Sequence, residues 1–597
     1  MRFTGGPNPD AIGRRVAAYG VAIVPFVVAA VRALANDWFP IGDAAQLYIR
    51  ATDVLTRNHP WIGSGSSAST SLGFQVNNAG PLYYDLIGPF ARLLPPGPGA
   101  VLGVTAVNVA CLVLAGLAAR RVGGAQHGAT FELWVLAACA VLAWTMGSEL
   151  LFDMFQAHAL LFPWLAACVL LAGAALGQRW VWPWLAFVLT LIVHTHLSYA
   201  YILPTLVAAA VVTAVVRLPA PRRDRVRAWP ADRGVRRTAG WTALVLAVTW
   251  FQPVFEQIFG DGQGNLVRLA RASRGTDVTL GGGNAVRLTA AFIALPPWAG
   301  RQGFADTIAP SGITTLPDRR EVVELAGMPA TWLAAVALAV TLALLGGAWW
   351  WAGRRAIAPL QALATLALVG VVGSVVALSR LTVTVLGFAP HHTRWIIVVS
   401  LLVYVTLAWA TTDAIRSRRR GSQVVELVET TEGDVPPVVS TGSTTSGRLV
   451  PLLVLVVFSL LNLPRFAQAH GPTADEQARP ALRAMFAELD ATTFAGPVYF
   501  DLANERVYAP HTSAIQLHLR ERGIDFRVDS EFLVRHLGER RRADGTEPTT
   551  LTQFHDDAAE SPPATGCVVL QVPPTGTSPG WPSMWLAVTL SGPGACP

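Results

Sequence analysis

The sequence predicts an α-helical polytopic membrane protein with a small α/β domain at its C-terminal end. Hydrophobic residues make up 52% of the 597 residues and charged residues only 14%, whereas soluble domains carry roughly 25% charged residues. Apolar runs about as long as a bilayer core requires recur through residues 1–465. Segments that alternate between strand-like and helix-like patterns then follow in residues 466–597.

Eleven apolar runs are predicted to span the membrane. The first follows Arg14 and Arg15 and has no small-residue cleavage site behind it, so it is predicted to remain as a helix. The runs lie near residues 16–36, 99–119, 130–147, 157–177, 180–197, 199–217, 240–255, 330–351, 357–378, 395–413 and 449–464.

Arginines predict the orientation of these spans, because short cytoplasmic loops are enriched in Lys and Arg. The arginines of six short loops fall on one side: Arg14 and Arg15, Arg120 and Arg121, Arg179, the eight between 217 and 237, Arg354 and Arg355, and those between 416 and 420. The N-terminus is therefore predicted inside and the C-terminus outside. The formal charge of +7 is interpreted as this topology signal and not as nucleic-acid binding.

Three outer regions are predicted to be large, at residues 37–98, 256–329 and 466–597. The longest inner loop, 414–448, is rich in Ser, Thr and Gly and is predicted to be disordered. In the tail, "GPVYFDLAN", "IDFRVD" and "GCVVLQV" predict strands, and "SAIQLHLRERG" predicts a helix that ends at a glycine. Chemistry is therefore expected on the outer face.

The five cysteines show no zinc-binding spacing. Cys111, Cys139 and Cys168 lie inside apolar runs and are predicted to be core residues. Cys567 and Cys596 lie in the polar tail, where an extracytoplasmic location would allow a disulfide.

The first outer loop carries two aspartates. Asp43, in "FPIGDAAQLY", follows the first span directly and could act as a base or cap the following helix. Asp53 is predicted to lie on a solvated helix face or to contact a substrate. Residues 44–57 and 80–94 are predicted to be interfacial helices joined by "WIGSGSSASTSLG", an arrangement elaborate for a connector.

Ionisable residues also cluster at the outer ends of later spans, where they are costly and often functional. "GSELLFDMFQAHALLFP" contains Asp153 and His158, and "LIVHTHLSYAY" contains His194, His196 and Tyr199. The two histidines of the second segment are two residues apart and do not share a helix face, whereas a metal pair on one helix prefers a spacing of four. Hydrogen bonding to a substrate is therefore favoured over a metal site.

Cations are predicted at the same face. Arg380 ends the ninth span, and "FAPHHTRW" places His391, His392 and Arg394 before the tenth. Guanidinium groups suit bidentate contact with a phosphate, and anchoring of helix ends is the alternative.

This arrangement resembles the glycosyltransferase C superfamily, whose polytopic enzymes use polyprenyl-phosphate sugars as donors. The resemblance rests on Asp43 soon after the first span, on the two predicted interfacial helices of the first outer loop and on the outer α/β tail. Two adjacent acidic residues are common in that loop of the family, but Gly42 and Ala44 flank Asp43 here. The Ala-, Arg- and Val-rich composition is similar to that of actinobacterial members, which build arabinan, mannan or glycoprotein sugars.

The resemblance implies a catalytic role for Asp43 as the base that deprotonates an acceptor hydroxyl. It also implies that the other residues named above contact substrates and that Arg380 or Arg394 holds the donor phosphate. The resemblance does not require any cofactor with certainty, and it allows for a divalent cation. The implied partners are a polyprenyl-phosphate sugar, a glycan, lipid or protein acceptor, and the lipid bilayer. The sugar is expected to be arabinofuranose or mannose.

Three rival functions fit parts of the sequence. A ligase that transfers a whole lipid-linked oligosaccharide would share the same layout. A transporter or flippase would place ionisable groups near the bilayer midplane within inverted repeats, and no internal repeat is evident. A non-catalytic binding protein would leave the interfacial helices of the first loop unexplained.

Overall fold

The fold was analysed in a computed structural model. It describes residues 9–66, 69–218, 232–260, 262–272, 278–294, 313–315, 321–323, 325, 327–383, 390–430, 446–464, 478–502, 510–555, 567–572 and 586–591.

Helices dominate the part that precedes the tail. They are α1 (Pro9–Ala35), α2 (Gly42–Thr52), α3 (Ser69–Leu72), α4 (Leu82–Leu93), α5 (Pro96–Met146), α6 (Gln156–Ala159), α7 (Leu161–Ala175), α8 (Val181–Thr195), α9 (Leu203–Val216), α10 (Arg233–Phe259), α11 (Asn265–Ala272), α12 (Gly282–Ile293), α13 (Thr331–Arg354), α14 (Ala358–Ser379), α15 (Trp395–Thr430) and α16 (Ser446–Leu461). A two-stranded antiparallel sheet, β1 (Ile313–Thr315) and β2 (Glu321–Val323), lies between α12 and α13.

The chain is a multi-pass helical membrane protein. Among the described residues, seven helices are long and apolar enough to cross a bilayer, and three shorter apolar helices accompany them. The longest, α5, is broken at Gly124, whose φ of 63° and ψ of −161° are not helical. Each of the eleven apolar runs predicted from the sequence falls on one of these helices or on one half of α5.

Helix α7 occupies the centre of the membrane part. All 15 of its residues are buried, and it packs against α5, α8, α9 and α14. By contrast, α10 exposes large apolar side chains such as Trp241, Val248 and Phe251, as a lipid-facing helix does. Because α7 is central, residues at its N-terminal end lie in the middle of the face that is predicted to be the outer one.

The first outer loop folds into the two helices predicted for it, α2 and α4, which pack together. The side chain of Tyr48 is buried between them and its hydroxyl donates to Leu94 O at 3.2 Å. Arg92 on α4 donates to Val54 O at 2.9 Å, just after the end of α2. These contacts make the loop a packed unit on the outer face of the helices.

The first part of the loop 414–448, for which disorder is predicted, belongs to a helix. Helix α15 continues to Thr430, because "RSRRRGSQVVELVET" contains good helix formers and no proline, so the hydrogen-bond ladder has no reason to stop at the bilayer surface. Residues 431–445 lie outside the described residues.

The tail forms the predicted α/β unit. Its elements are α17 (Ala478–Ala491), β3 (Val498–Asp501), α18 (Pro510–Glu521), β4 (Phe526–Arg527), α19 (Glu531–Leu537), β5 (Thr549–His555), β6 (Cys567–Val572) and β7 (Leu586–Ser591). The strand order is β4-β3-β5-β7-β6. Strand β3 pairs in parallel with β4 and β5, and β7 pairs antiparallel with β5 and β6.

The predicted behaviour of the cysteines is confirmed where the structure describes it. Cys111, Cys139 and Cys168 are buried in the helical core. Cys567 begins β6, whereas Cys596 lies outside the described residues, so the disulfide stays a prediction.

A buried ion cluster joins the first outer loop to the tail. Asp53, at the C-terminal end of α2, is 0% exposed. Arg541 of the tail donates to both of its carboxylate oxygens, at 2.6 Å and 2.9 Å. Arg50 lies at 2.8 Å and Arg520 at 3.3 Å. The prediction that Asp53 lies on a solvated helix face is wrong, because one guanidinium group from its own helix and two from the tail replace water around it.

The ion cluster generates a stability prediction. Asp53→Asn leaves buried guanidinium groups facing a neutral amide, and loss of one partner of a buried pair costs about 3–5 kcal/mol. We expect a lower thermal midpoint in detergent and faster proteolytic cleavage of the tail. The matched control is Asp525→Asn, which removes the exposed pair with Arg57 (3.1 Å) and should cost under about 1 kcal/mol. Equal effects of the two variants would contradict a structural role for the cluster.

Candidate active site at the outer ends of the helices

The structure brings together five of the ionisable residues predicted at the outer ends of the spans. His158 Nδ1 lies 2.7 Å from Asp153 Oδ2 in a buried pair. The rings of His391 and His392 are 4.3 Å apart, and each lies 6.1 Å from the ring of His196. Phe155 links the two groups, since its ring contacts His158 at 5.1 Å and His391 at 5.2 Å. We call these residues, with Arg394, the histidine cluster.

Three chain turns position the histidine cluster around the outer end of α7. His158 lies on the short helix α6, His196 follows the last residue of α8, and His391 and His392 lie on a 3-10 turn, Pro390–Thr393, that leads into α15. The backbone N–H of Phe155 donates to Asp153 Oδ1 at 3.0 Å and fixes that carboxylate. The cluster therefore depends on irregular backbone between helices and not on one helix face.

The hydrogen bonds of the cluster define its proton positions. Because the Asp153 carboxylate accepts from His158 Nδ1, a neutral His158 presents the lone pair of Nε2, which is buried and has no partner among the described residues. His196 Nδ1 accepts from the Ser198 backbone N–H at 3.3 Å, so its proton is on Nε2. One ring thus offers an acceptor and the other a donor.

Burial keeps the outer histidines neutral. It lowers the pKa of His196 to about 3 and that of His392 to about 4, and it lowers the pKa of His391 well below its usual value. Arg394 is only 4% exposed and its charge contributes to the last of these shifts. At neutral pH the described cluster therefore combines neutral imidazoles with a permanent guanidinium charge, a combination that suits an anionic oxygen.

Asp43 lies in the first turn of α2 and is partly exposed. The N-cap of that helix is Ile41, with no side-chain cap, so the alternative that Asp43 caps the helix is wrong. The helix begins at Gly42, whose φ of 51° turns the chain sharply after the first span. A carboxylate within the first turn is stabilised by the helix dipole.

The remaining predicted residues lie beside the cluster or apart from it. Tyr199 is buried and its hydroxyl donates to Ala157 O at 3.4 Å, next to His158. His194 is buried against Trp250, and neither ring nitrogen has a partner among the described residues. Arg380 follows the end of α14 with an exposed side chain, and no ion pair of its guanidinium occurs in the part of the chain that the structure describes.

A buried polar seam starts at the histidine cluster, and sequence reasoning did not connect its residues. Gln156 Nε2 donates to Ser64 Oγ, and Asn78 Nδ2 donates to the same oxygen at 2.8 Å. The side-chain amide of Asn265 bonds the backbone of Asn77 twice: its Oδ1 accepts from the Asn77 N–H and its Nδ2 donates to Asn77 O, both at 3.0 Å. We call Ser64, Asn77, Asn78, Gln156 and Asn265 the polar seam. The Asn-Asn pair in an otherwise Gly- and Ser-rich crossing is the signal that could have indicated it.

A second missed feature is the carboxylate of Asp85 on α4. It accepts from Gln252 Nε2 at 2.8 Å, and Gln252 Oε1 lies 3.2 Å from His59 Nε2. His59 Nδ1 accepts the Leu55 N–H at 3.0 Å, so Nε2 carries the proton that Gln252 accepts. Burial raises the pKa of Asp85 from 3.8 to about 6.

No group of three or more His, Cys, Asp or Glu side chains arranged to hold a metal ion occurs within the described ranges. The four clustered histidines meet through ring faces and edges and do not converge on a point.

Comparisons with known proteins give weak structural matches. No protein-family model and no curated sequence matches the chain. It is similar to two crystal structures of ArnT from Cupriavidus metallidurans, with 13% sequence identity in each case. Each comparison covers 98% of this chain and 100% of ArnT. The TM-score is 0.49 for ArnT bound to undecaprenyl phosphate and 0.45 for ArnT in the apo state. It is also similar to the archaeal oligosaccharyltransferase AglB from Archaeoglobus fulgidus in complex with an inhibitory peptide and a dolichol-phosphate, with 12% identity, 92% and 70% covered, and a TM-score of 0.38.

Because every TM-score is below 0.5, the proposals below rest on the residues of this chain.

The raised pKa of Asp85 generates a pH prediction. Its protonated form favours the folded state, so this contribution is present below pH 3.8 and is lost as the pH rises through about 6. Asp85→Asn mimics the protonated side chain and can still accept from Gln252. We expect this variant to be more stable than wild type at pH 7.5, by up to about 2 kcal/mol, with the difference shrinking towards pH 4.

Thermal unfolding in detergent at several pH values measures this difference. Asp37→Asn, at an exposed position, serves as the control and should follow wild type at every pH. A stability difference for Asp85→Asn that does not change with pH would show that Asp85 does not titrate as described.

Proposed function

We propose that the protein is a membrane glycosyltransferase that moves a sugar from a polyprenyl-phosphate donor to a cell-envelope glycan, lipid or protein on the outer face. The observation that carries this proposal is the histidine cluster itself. It combines a buried guanidinium, neutral imidazoles and an oriented Asp–His pair at the outer end of the central helix. Such a site suits a phosphate that approaches from the outer leaflet.

In this proposal the cluster binds the leaving group. Arg394 would offset the charge of the polyprenyl phosphate, and His196 Nε2–H would donate to a phosphate oxygen. Both groups are in place before reaction and partly shielded from water, where such interactions are stronger. Arg380 is exposed at the end of α14, so it would contact the donor only when the donor reaches the surface of the protein.

Of Asp43, Asp53 and Asp85 in the first outer loop, we propose Asp43 as the base. Asp53 is held by three arginines and is fully buried, so an acceptor hydroxyl cannot reach it. Asp85 is bonded to Gln252 and is half protonated near pH 6. Asp43 is partly exposed at the start of α2, where the helix dipole favours its ionised form.

The reaction balances with these groups alone. Asp43 accepts the proton of the acceptor hydroxyl while that oxygen forms a bond to the anomeric carbon. The bond from that carbon to the phosphate oxygen breaks, and its electron pair leaves on the polyprenyl phosphate. A single displacement inverts the anomeric configuration. Arabinofuranose and mannose are the proposed sugars.

The proposed orientation has the N-terminus in the cytoplasm and the tail outside. Two of the arginine-containing segments that are predicted to lie inside contact the same carboxylate, which supports this orientation. Glu132 accepts from Arg15 at 2.7 Å and from Arg120 at 2.9 Å. The histidine cluster and the tail then both lie at the opposite ends of the helices.

The test is sugar transfer in membranes from a panel of radiolabelled polyprenyl-phosphate sugars. Wild type should transfer at least one sugar, and Asp43→Asn at equal expression should lose activity by about 10²–10⁴-fold, the usual contribution of a general base. Asp37→Asn, an exposed aspartate of the same loop, should retain wild-type activity.

Two results would contradict the proposal. Equal transfer by wild type and Asp43→Asn would remove Asp43 from the chemistry. Transfer of a complete lipid-linked oligosaccharide, or flipping of the lipid without transfer, would indicate a ligase or a flippase instead.

A further inference from the structure

A polar cleft lies where the three outer regions meet. Its cavity volume is about 330 Å³, and residues from the first outer loop, α11 and the tail line it. The side chains in the lining are Gln75, Arg268, Glu531, Arg535, Glu539 and Arg542. We call it the junction cleft. A lining so dominated by charged groups suits a ligand rich in hydroxyl groups or charge and not an apolar chain.

The charges of the junction cleft are unequally compensated. Arg542 pairs with Glu531 at 2.6 Å and Glu539 at 2.9 Å. Arg535 pairs with Glu256 of α10 at 3.2 Å. These pairs neutralise two of the three guanidinium groups and hold the side chains in place.

Arg268 is the exception. Its Nε donates to Gln263 O at 2.8 Å and its Nη1 to Gln75 O at 3.2 Å. No carboxylate lies within ion-pair distance of it among the described residues. Two backbone carbonyls orient this guanidinium but do not neutralise it, so its positive charge stays at a fixed point of the lining.

Two further atoms of the lining indicate that polar groups are missing from it. Gln75 Oε1 and Arg535 Nε are buried and have no hydrogen-bond partner within the described residues. Buried polar atoms are normally satisfied. A bound polar ligand, with the water it orders, would supply partners on this side of the cleft.

The polar seam connects the junction cleft to the histidine cluster. Gln75 precedes Asn77, and Asn265 begins the helix that carries Arg268. The Asn265 N–H donates to Glu256 at 2.9 Å, the carboxylate that also binds Arg535. From Asn77 and Asn78 the seam continues through Ser64 to Gln156, next to His158. Hydrogen-bonded side chains therefore join the junction cleft to the histidine cluster.

We infer that the junction cleft is a subsite for an acidic acceptor glycan, with Arg268 binding its carboxylate or phosphate group. This inference rests on the proposed function and names its acceptor class. Glu531, Glu539 and Gln75 would accept hydrogen bonds from sugar hydroxyls.

The experiment measures binding to the purified full-length protein in detergent without any donor. The probes are D-glucuronate, inorganic phosphate and D-glucose, the neutral counterpart of the first, and ligand-detected NMR titration gives each Kd. We expect D-glucuronate or phosphate to bind and D-glucose to bind at least about tenfold more weakly, as expected for loss of one charge-assisted hydrogen bond. Competition between the two anions shows whether a carboxylate and a phosphate use the same group.

Variants of α11 locate the binding. Arg268→Gln keeps an amide donor but removes the charge and should raise the Kd of the anion about tenfold, whereas Arg268→Lys should restore part of the affinity. The matched control is Arg271→Gln, because Arg271 lies on the same helix, bonds to Gln263 and does not line the cleft. It should bind as wild type does. Thermal midpoints of all variants verify that they are folded.

Three results would overturn the inference: no probe binds, D-glucose binds as tightly as the anions, or Arg268→Gln binds as wild type does. Its failure is distinct from failure of the proposed function. Sugar transfer in membranes without anion binding would overturn the acceptor subsite alone. Anion binding that depends on Arg268, without transfer from any donor, would overturn the glycosyltransferase and with it the acceptor role, leaving an anion site.

Discussion

The buried carboxylate of Asp53 is the interaction on which the outer face depends. A carboxylate removed from water is strongly unfavourable unless other charges and donors replace its hydration. Here Arg50 comes from its own helix, whereas Arg520 and Arg541 come from the tail. The tail must therefore dock on α2 for Asp53 to be buried. The same helix begins with Asp43, so docking of the tail also sets where that carboxylate lies.

The bilayer imposes the second constraint. Ionisable groups are expensive in the hydrocarbon region, and backbone there must be helical or enclosed by protein. The histidine cluster satisfies both conditions, because its residues lie on short turns at the outer end of a central, fully buried helix. Burial then keeps the imidazoles of His196 and His392 uncharged.

Features that depend on local sequence could be predicted. Apolar runs of bilayer length indicated the helices, the interfacial pattern indicated α2 and α4, and strand and helix patterns indicated the α/β tail. The tenth span was predicted to end at residue 413, but the helix continues to Thr430. Residues with good helix propensity follow the apolar run, so hydropathy alone does not indicate where the helix ends. The capping alternative for Asp43 failed by two residues, since Gly42 starts the helix with Ile41 as its cap.

Features that depend on distant residues could not be predicted. Nothing near Asp53 indicates that Arg541, 488 positions away, will bind it, and an isolated aspartate late in a short helix looks like any solvated residue. The histidine cluster was predicted only as separate segments, because its convergence requires the packing of α7 against its neighbours. The polar seam depends on the pairing of Asn77 with Asn265, 188 positions apart.

The carboxylates of the first loop show how burial and partners separate chemically identical groups. Asp53, surrounded by guanidinium groups, joins α2 to the tail and serves structure. Asp85 is buried beside a neutral amide, and burial raises its pKa to about 6. Asp43, partly exposed at a helix start, keeps contact with water and with the helix dipole. A base that must accept a proton from an incoming hydroxyl needs both ionisation and access. Asp53 lacks access and Asp85 is penalised when ionised, so the physical environment of each carboxylate, and not its place in a motif, favours Asp43.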